Sequence, residues 1–257
     1  MEYIVICAVA LIGSGLTLFS GFGLGTLLVP VFGIFFPIDI AIALTAIVHF
    51  LNNLFKLFLV GKHADKNIVI RFGVPSIIAA FIGAFVLNSI SGLDPLFNYE
   101  MFGRELTVMP VKLIIGLLLM FFALFDLIPY LANMEFDKKY LSLGGLLSGF
   151  FGGLSGNQGA LRSAFLIRAG LSKESYIATG VIIACMIDVS RLAVYSKQVI
   201  ASHTVLDYTL VGAATLSAFL GAYIGNKLMK KITVKALQVF VAVMLFIFAI
   251  MLISGII

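Results

Sequence analysis

The run Gly152-Gly153-Leu154-Ser155-Gly156-Asn157-Gln158-Gly159-Ala160-Leu161-Arg162 sets hydrogen-bonding side chains and a guanidinium inside an otherwise apolar stretch. Glycine clusters break a membrane helix where the freed backbone groups face protein or a polar cavity. A half-helix that begins at such a break aims unpaired N–H groups and the positive end of its dipole at the gap, which is a site for an anion. Arg162 belongs to the same chemistry. A guanidinium at membrane depth costs about 2.5 to more than 10 kcal/mol and usually faces a cavity or a partner. Its planar fork suits two oxygens of a small oxyanion as it suits a carboxylate. The competing reading is that Arg162 pairs with a nearby acid or caps carbonyls at the break.

A second glycine-rich interruption, Ser20-Gly21-Phe22-Gly23-Leu24-Gly25, lies in the first apolar stretch. Thr26 and Leu27 are expected to open one half-helix and Ala160 and Leu161 the other, so that the two ends converge on one anion. Ser20, Gly21, Gly23, Gly25 and Thr26 from the first break, with Ser155, Gly156, Asn157, Gln158, Gly159 and Arg162 from the second, make the candidate substrate-binding set.

Two polar stripes complete it. Thr45, His49, Asn52, Asn53 and Lys56 fall at i, i+4, i+7, i+8 and i+11, one face of a helix. Thr179, Asp188, Arg191 and Tyr195 form the matching stripe, and Asp188 and Arg191 are three apart, close enough for an ion pair. Thr45, Asn52, Asn53 and Thr179 join the substrate-binding set. His49, Lys56, Asp188 and Arg191 are coupling or gating candidates. For Lys56, snorkelling to the headgroups competes with an inward role. His49 either relays protons or hydrogen-bonds a carbonyl. The Asp188–Arg191 pair either neutralises two buried charges or opens to couple a proton to anion movement.

The elements that must position these residues are membrane helices. Of 257 residues, 61% are hydrophobic and 11% charged, with mean hydropathy +1.16; soluble proteins run at about 45–50% apolar and about 25% charged. Apolar segments at about 3–36, 39–60, 68–90, 107–131, 140–168, 174–195, 204–226 and 236–257 approach the roughly 20 residues that a bilayer crossing needs. Met1-Glu2-Tyr3 carries an acid where a secretory signal carries Lys or Arg, so the first segment is expected to be retained. Cys7 and Cys185 sit in apolar segments and read as packing residues, with neither a disulfide framework nor a metal site. Asp126, beside Pro129, reads as interfacial. The net charge of +5 calls for a topological reading and not for nucleic acid.

Shifting the chain by 134 residues lays Gly15 on Gly149, Gly25 on Gly159, Leu27 on Leu161 and Thr45 on Thr179. After a one-residue slip, Asn53 and Lys56 meet Asp188 and Arg191, and "AAFIGAFV" at 79–86 matches "SAFLGAYI" at 217–224. The sequence thus predicts an all-α polytopic membrane protein built from two repeats of four segments, 1–132 and 133–257, the first segment of each broken or re-entrant. If segments 3–36 and 140–168 are re-entrant, Lys62, Lys66, Arg71, Lys138, Lys139, Arg168, Lys173, Lys227, Lys230, Lys231 and Lys235 share one face, and only Arg104, Lys112 and Lys197 the other. That asymmetry predicts a cytoplasmic face, both termini outside, and halves inverted relative to each other. Inverted repeats with paired broken helices are the pattern of secondary transporters, whose site lies near the midplane.

The N-terminal "SGFGLGTLLVPVF" and its counterpart "GLLSGFFGGLSGNQGAL", within a chain of membrane segments, resemble the TauE/SafE sulfite exporter family over nearly the whole length. The resemblance implies a transporter, not an enzyme, that moves sulfite or small sulfonated or other organic anions across the cytoplasmic (inner) membrane, often outward, without a cofactor. The first repeat carries the pattern with Gly21, Gly23, Gly25 and Pro30. The second departs from it, with Asn157-Gln158-Gly159 and Ala164 where the family commonly has a glycine cluster followed by proline.

Other classes use some of the same residues. A passive anion channel or an uptake carrier would share the donors, and the paired breaks favour a carrier. A rhomboid-like intramembrane serine protease is suggested by "GLSG" at 153–156 with His203, His49 and Asn53, but a tetrapeptide is a weak match in a glycine-rich chain, and a protease leaves the repeat unexplained. Proton or ion coupling and oligomeric state stay open.

Overall fold

The computed structural model describes the chain apart from residues 21–22, 102, 133, 202–206 and 229–233, and apart from the side chains of 18–20, 129, 132, 197–201, 228 and 234–238. Both broken segments divide into two helices. Helix α1 covers Glu2–Ser20 and α2 Leu24–Phe35. Extended Phe36 and Pro37 then lead into α3, Ile38–Val60. The loop after α3 ends at Asp65, whose carboxylate accepts the N–H of Ile68 at 2.9 Å and caps α4, Lys66–Ser91. A π-helical turn, Val69–Gly73, lies near the start of α4.

Strands β1 (Phe97–Met101) and β2 (Arg104–Val108) form an antiparallel hairpin around Gly103. This hairpin is a difference from the all-helical expectation, and it moves the start of the fourth segment from about 107 to Pro110. Gly103 takes a φ of +68°, which closes the turn. Pro110 opens α5 (Pro110–Leu127), where its missing N–H costs the helix nothing.

The second half follows with α6 (Leu141–Ser155), α7 (Gly159–Leu166), α8 (Lys173–Ala201), α9 (Tyr208–Leu228) and α10 (Val234–Ile253). Among the described residues, Ile38–His63, Lys66–Ser91, Pro110–Leu127, Lys173–Ser196 and Tyr208–Lys227 are long and apolar enough to cross a membrane. The chain is an all-α polytopic membrane protein with, among the described residues, one small hairpin.

Helix pairing is reciprocal: α1 lies on α9 and α6 on α4, while α3 packs on α8 and α5 on α10. Lipid tails are as apolar as the side chains, so these contacts depend on close van der Waals approach and small residues, not on the hydrophobic effect. Gly145, Gly149 and Gly153 ride directly on the backbone of Phe72, Ser76 and Ala80, and any β-carbon there would overlap it. The α1–α9 junction repeats the device with Gly15 against Gly221 and Gly225.

These contacts fix direction. Gly145 to Gly153 climb with Phe72 to Ala80, so α6 and α4 are parallel. Helices α1 and α9 are parallel too, since the Tyr3 hydroxyl donates to Asp207 near their starts and Gly15 meets Gly225 further on. In the α3–α8 pair the order reverses: His49 meets Asp188, and sixteen residues later the Asp65 N–H donates to Thr179 Oγ1 at 2.9 Å. Helices α5 and α10 also run antiparallel, Gly116 lying against Ala249 and Ile253 and Thr107 beside Gly255. This is the pairing expected of two halves exchanged by a twofold axis that runs across the helices.

Each broken segment is a hairpin. In α2, Gly23 and Gly25 approach His49 and Thr45, while Gly33 approaches Ile38, so α2 descends along α3 to the end where α1 began. Tyr3, Phe35 and Phe36 belong to one apolar cluster at that end. At the opposite end Arg168 Nε donates to Glu135 at 2.6 Å and the Phe136 N–H to Ala164 O at 3.1 Å, joining the start of the α6–α7 hairpin to its finish.

Candidate functional site

The hairpin tips meet. Gly156 ends α6 with a φ of +81°, a left-handed conformation that side chains resist. Its carbonyl oxygen lies 3.3 Å from where a β-carbon on Gly25 would stand, so glycine at 25 lets the two breaks touch. Helix α2 starts at Leu24 and α7 at Gly159, two residues and one residue ahead of the expected starts.

Beside the tips is a cavity of about 40 Å³, partly open to solvent. From the first half it is lined by Thr17, Gly23, Leu24, His49, Asn53 and Lys56, and from the second by Arg162, Ser163, Tyr176, Gly180 and neighbouring apolar residues. The lining reaches from the tips towards the end carrying the α3–α4 and α7–α8 loops.

Two cations face this space. Arg162 is 9% exposed; its Nη1 donates to Gln158 Oε1 at 3.2 Å, and its Nε lies beside Gly180 on α8. Lys56 is 4% exposed and does not snorkel. With the Asn52 amide turned to satisfy both its ends, Asn52 Oδ1 accepts from Lys56 Nζ at 3.3 Å and Nδ2 donates to Ala218 O at 3.2 Å. No Asp or Glu is among the lining residues.

Behind the cavity wall lies a buried ionic network that ties α3 to α8. His49 Nδ1 and Asp188 Oδ2 are 2.7 Å apart, and Asn53 Nδ2 donates to the same oxygen at 3.3 Å. Arg191 Nε donates to Asp188 Oδ1 at 3.0 Å, and its Nη2 lies 2.8 Å from that oxygen as a charge contact out of line for a hydrogen bond. Asp188 and Arg191 are fully buried, as the i, i+3 spacing allowed. With Nδ1–H directed to the carboxylate, His49 keeps Nε2 towards Gly23 and the cavity. Arg191 also reaches the tip, Nη1 donating to Gly152 O at 3.5 Å, and the Tyr195 hydroxyl donates to Gly153 O.

The remaining expected residues are placed less directly. Ser155 Oγ donates to Phe151 O at 3.0 Å, within its own helix. Thr179 accepts from the loop N–H of Asp65, and Thr45 and Thr26 are buried outside the lining. Asn157 is buried and, among the described residues, neither of its side-chain polar atoms has a partner, nor does Gln158 Nε2, while the backbone carbonyl of Gln158 accepts from Ser148 Oγ at 3.0 Å. Gly21, the side chain of Ser20, and His203 lie outside the described residues.

Thr17, Ser163, Tyr176 and Gly180 were not anticipated. Tyr176 and Gly180 stand four apart on α8, a spacing that marks a shared helix face but does not say what the face meets. Among the described residues no group of His, Cys, Asp and Glu could hold a metal ion.

The model of a family described as Sulfite exporter TauE/SafE matches residues 5–252 of the chain. No curated protein matches it.

Proposed function

Because the chain belongs to the TauE/SafE sulfite exporter family, we propose that it is a secondary carrier that exports sulfite or a small sulfonated organic anion across the cytoplasmic membrane, holding it in the cavity beside the hairpin tips. One observation carries this reading: Arg162 and Lys56 are buried on a shared cavity that has no carboxylate in its lining. A buried charge without a partner is strongly unfavourable, and an anion in the cavity supplies the missing partner for both. Arg162 presents the fork for two oxygens, and Tyr176, Ser163 and Asn53 line the same space.

The tips in contact at Gly25 and Gly156 support a carrier over an open channel, since a path through the midplane has to part them. The loop end, with Lys62, Lys66, Arg71, Lys138, Lys139, Arg168 and Lys173, is the cytoplasmic face under the positive-inside rule, and the termini are outside. In that orientation the cavity lining extends from the tips towards the cytoplasm. His49, between cavity and Asp188, is the proposed proton site. It takes a proton as the anion is held and releases it with the anion, while Asp188 steadies the charged ring.

The test is flux in reconstituted vesicles. Arg162→Ala is expected to abolish sulfite movement while the protein still inserts and stays monodisperse. Unchanged flux removes Arg162 from the site.

A further inference from the structure

Resting on the carrier reading above, we propose that Lys56 is a specificity-determining residue that makes the cavity a site for anions carrying two negative charges and turns away zwitterions. The charge count around the cavity carries the inference. Its lining contains Lys56 and Arg162 and neither Asp nor Glu. The carboxylate nearest in the network, Asp188, is committed on both oxygens, Oδ2 to His49 and Asn53 and Oδ1 to Arg191. Asp188 and Arg191 cancel, so Lys56 and Arg162 are left as the cations of the lining, joined by His49 when it carries its proton.

The two cations are chemically different. Arg162 is a fork, steadied by Gln158 Oε1, that fits two oxygens of one sulfonate group. Lys56 is a point charge with three donors, of which Asn52 Oδ1 takes one at 3.3 Å. The cavity that Lys56 lines offers it no carboxylate. Lys56 arises from α3 and Arg162 from α7, so a ligand between them is gripped by both halves. A second negative group on the ligand completes Lys56. An ammonium group there meets like charge with no carboxylate to receive it, which is the repulsive half of specificity.

Three two-carbon sulfonates of similar size separate these cases: sulfoacetate with two negative charges, isethionate with one, and zwitterionic taurine. Each competes against labelled sulfite for the purified protein in detergent and in counterflow across vesicles. The wild type is expected to rank them sulfoacetate, isethionate, taurine. Lys56→Gln removes one of the cations facing the ligand, so it is expected to weaken sulfoacetate roughly tenfold or more while isethionate changes by less than about threefold. Lys56→Arg keeps the charge and is expected to keep the ranking, which separates charge from folding. Taurine matching sulfoacetate in the wild type, or Lys56→Gln weakening sulfoacetate and isethionate equally, would overturn the proposal. Failure of the carrier reading looks different: sulfite crosses no membrane, whatever the detergent competition ranks.

Discussion

Asp188→Asn separates the ionic network from its surroundings with little change of shape. In the native protein Asp188 and Arg191 are both fully buried, and the carboxylate receives His49, Asn53 and the Arg191 guanidinium. Asparagine removes the negative charge and leaves the guanidinium the Gly152 carbonyl at 3.5 Å but no carboxylate. Removing one partner of a buried pair costs about 3–5 kcal/mol, because the other charge stays buried and uncompensated. For a chain of this size each kcal/mol moves Tm by about 2–4 °C, so the variant is expected to melt about 6–20 °C below the wild type. The protein has no tryptophan, but Cys185 is 7% exposed, so a thiol-reactive dye reports unfolding in detergent. Asp188→Asn/Arg191→Met deletes both charges and is expected to recover most of the loss, since exchanging a buried pair for apolar groups is close to neutral. A single variant melting within about 3 °C of the wild type refutes the reasoning, as does a double variant no more stable than the single.

The α6–α4 junction gives a second prediction: Gly149→Val and Gly153→Val push the α6–α7 hairpin off Ser76 and Ala80, costing about 1–3 kcal/mol or more each, seen as lowered yield and melting temperature. Gly212→Val, with nothing within 4 Å of the added β-carbon, is expected to leave both unchanged. At the terminal end, the Tyr3 hydroxyl and the N–H groups of Leu210 and Thr209 hold the Asp207 carboxyl below the usual carboxylate range. Its contribution to stability is therefore present above the ordinary value of about 4 and is lost as pH falls through the lowered one; Asp207→Asn should flatten that acid limb in a melting-temperature profile.

Much of this arrangement was legible in residue order. The glycine runs marked both breaks because glycine in a membrane helix weakens it wherever its backbone can find another partner: one helix ends at Ser20 and the next starts at Leu24, and the second break falls at Gly156 to Gln158. The i, i+3 spacing of Asp188 and Arg191 announced their pairing, since helix geometry alone brings them together. The bond from His49 to Asp188 had no such local signature. It joins residues 139 apart, and a stripe tells which face is polar without telling which helix it meets. Lys56 illustrates the same gap: its place one turn from the helix end allowed snorkelling, whereas it is buried on a cavity shared with residues of α7 and α8. Thr179 sat on the right face but too near the loop, where the Asp65 N–H takes its hydroxyl. The β1–β2 hairpin lies almost wholly between the segments read at 68–90 and 107–131, a stretch given no element, and overlaps only the start of the second.

The central claim is that an anion sits between Arg162 and Lys56. It is tested most directly by crystals grown with selenite, an anomalously scattering analogue of sulfite. The account predicts an anomalous peak in the cavity within hydrogen-bonding distance of the Arg162 guanidinium and the Lys56 ammonium, and its loss in Arg162→Ala crystals. A saturating soak that leaves this cavity without a peak, or a peak that persists unchanged in the variant, contradicts it.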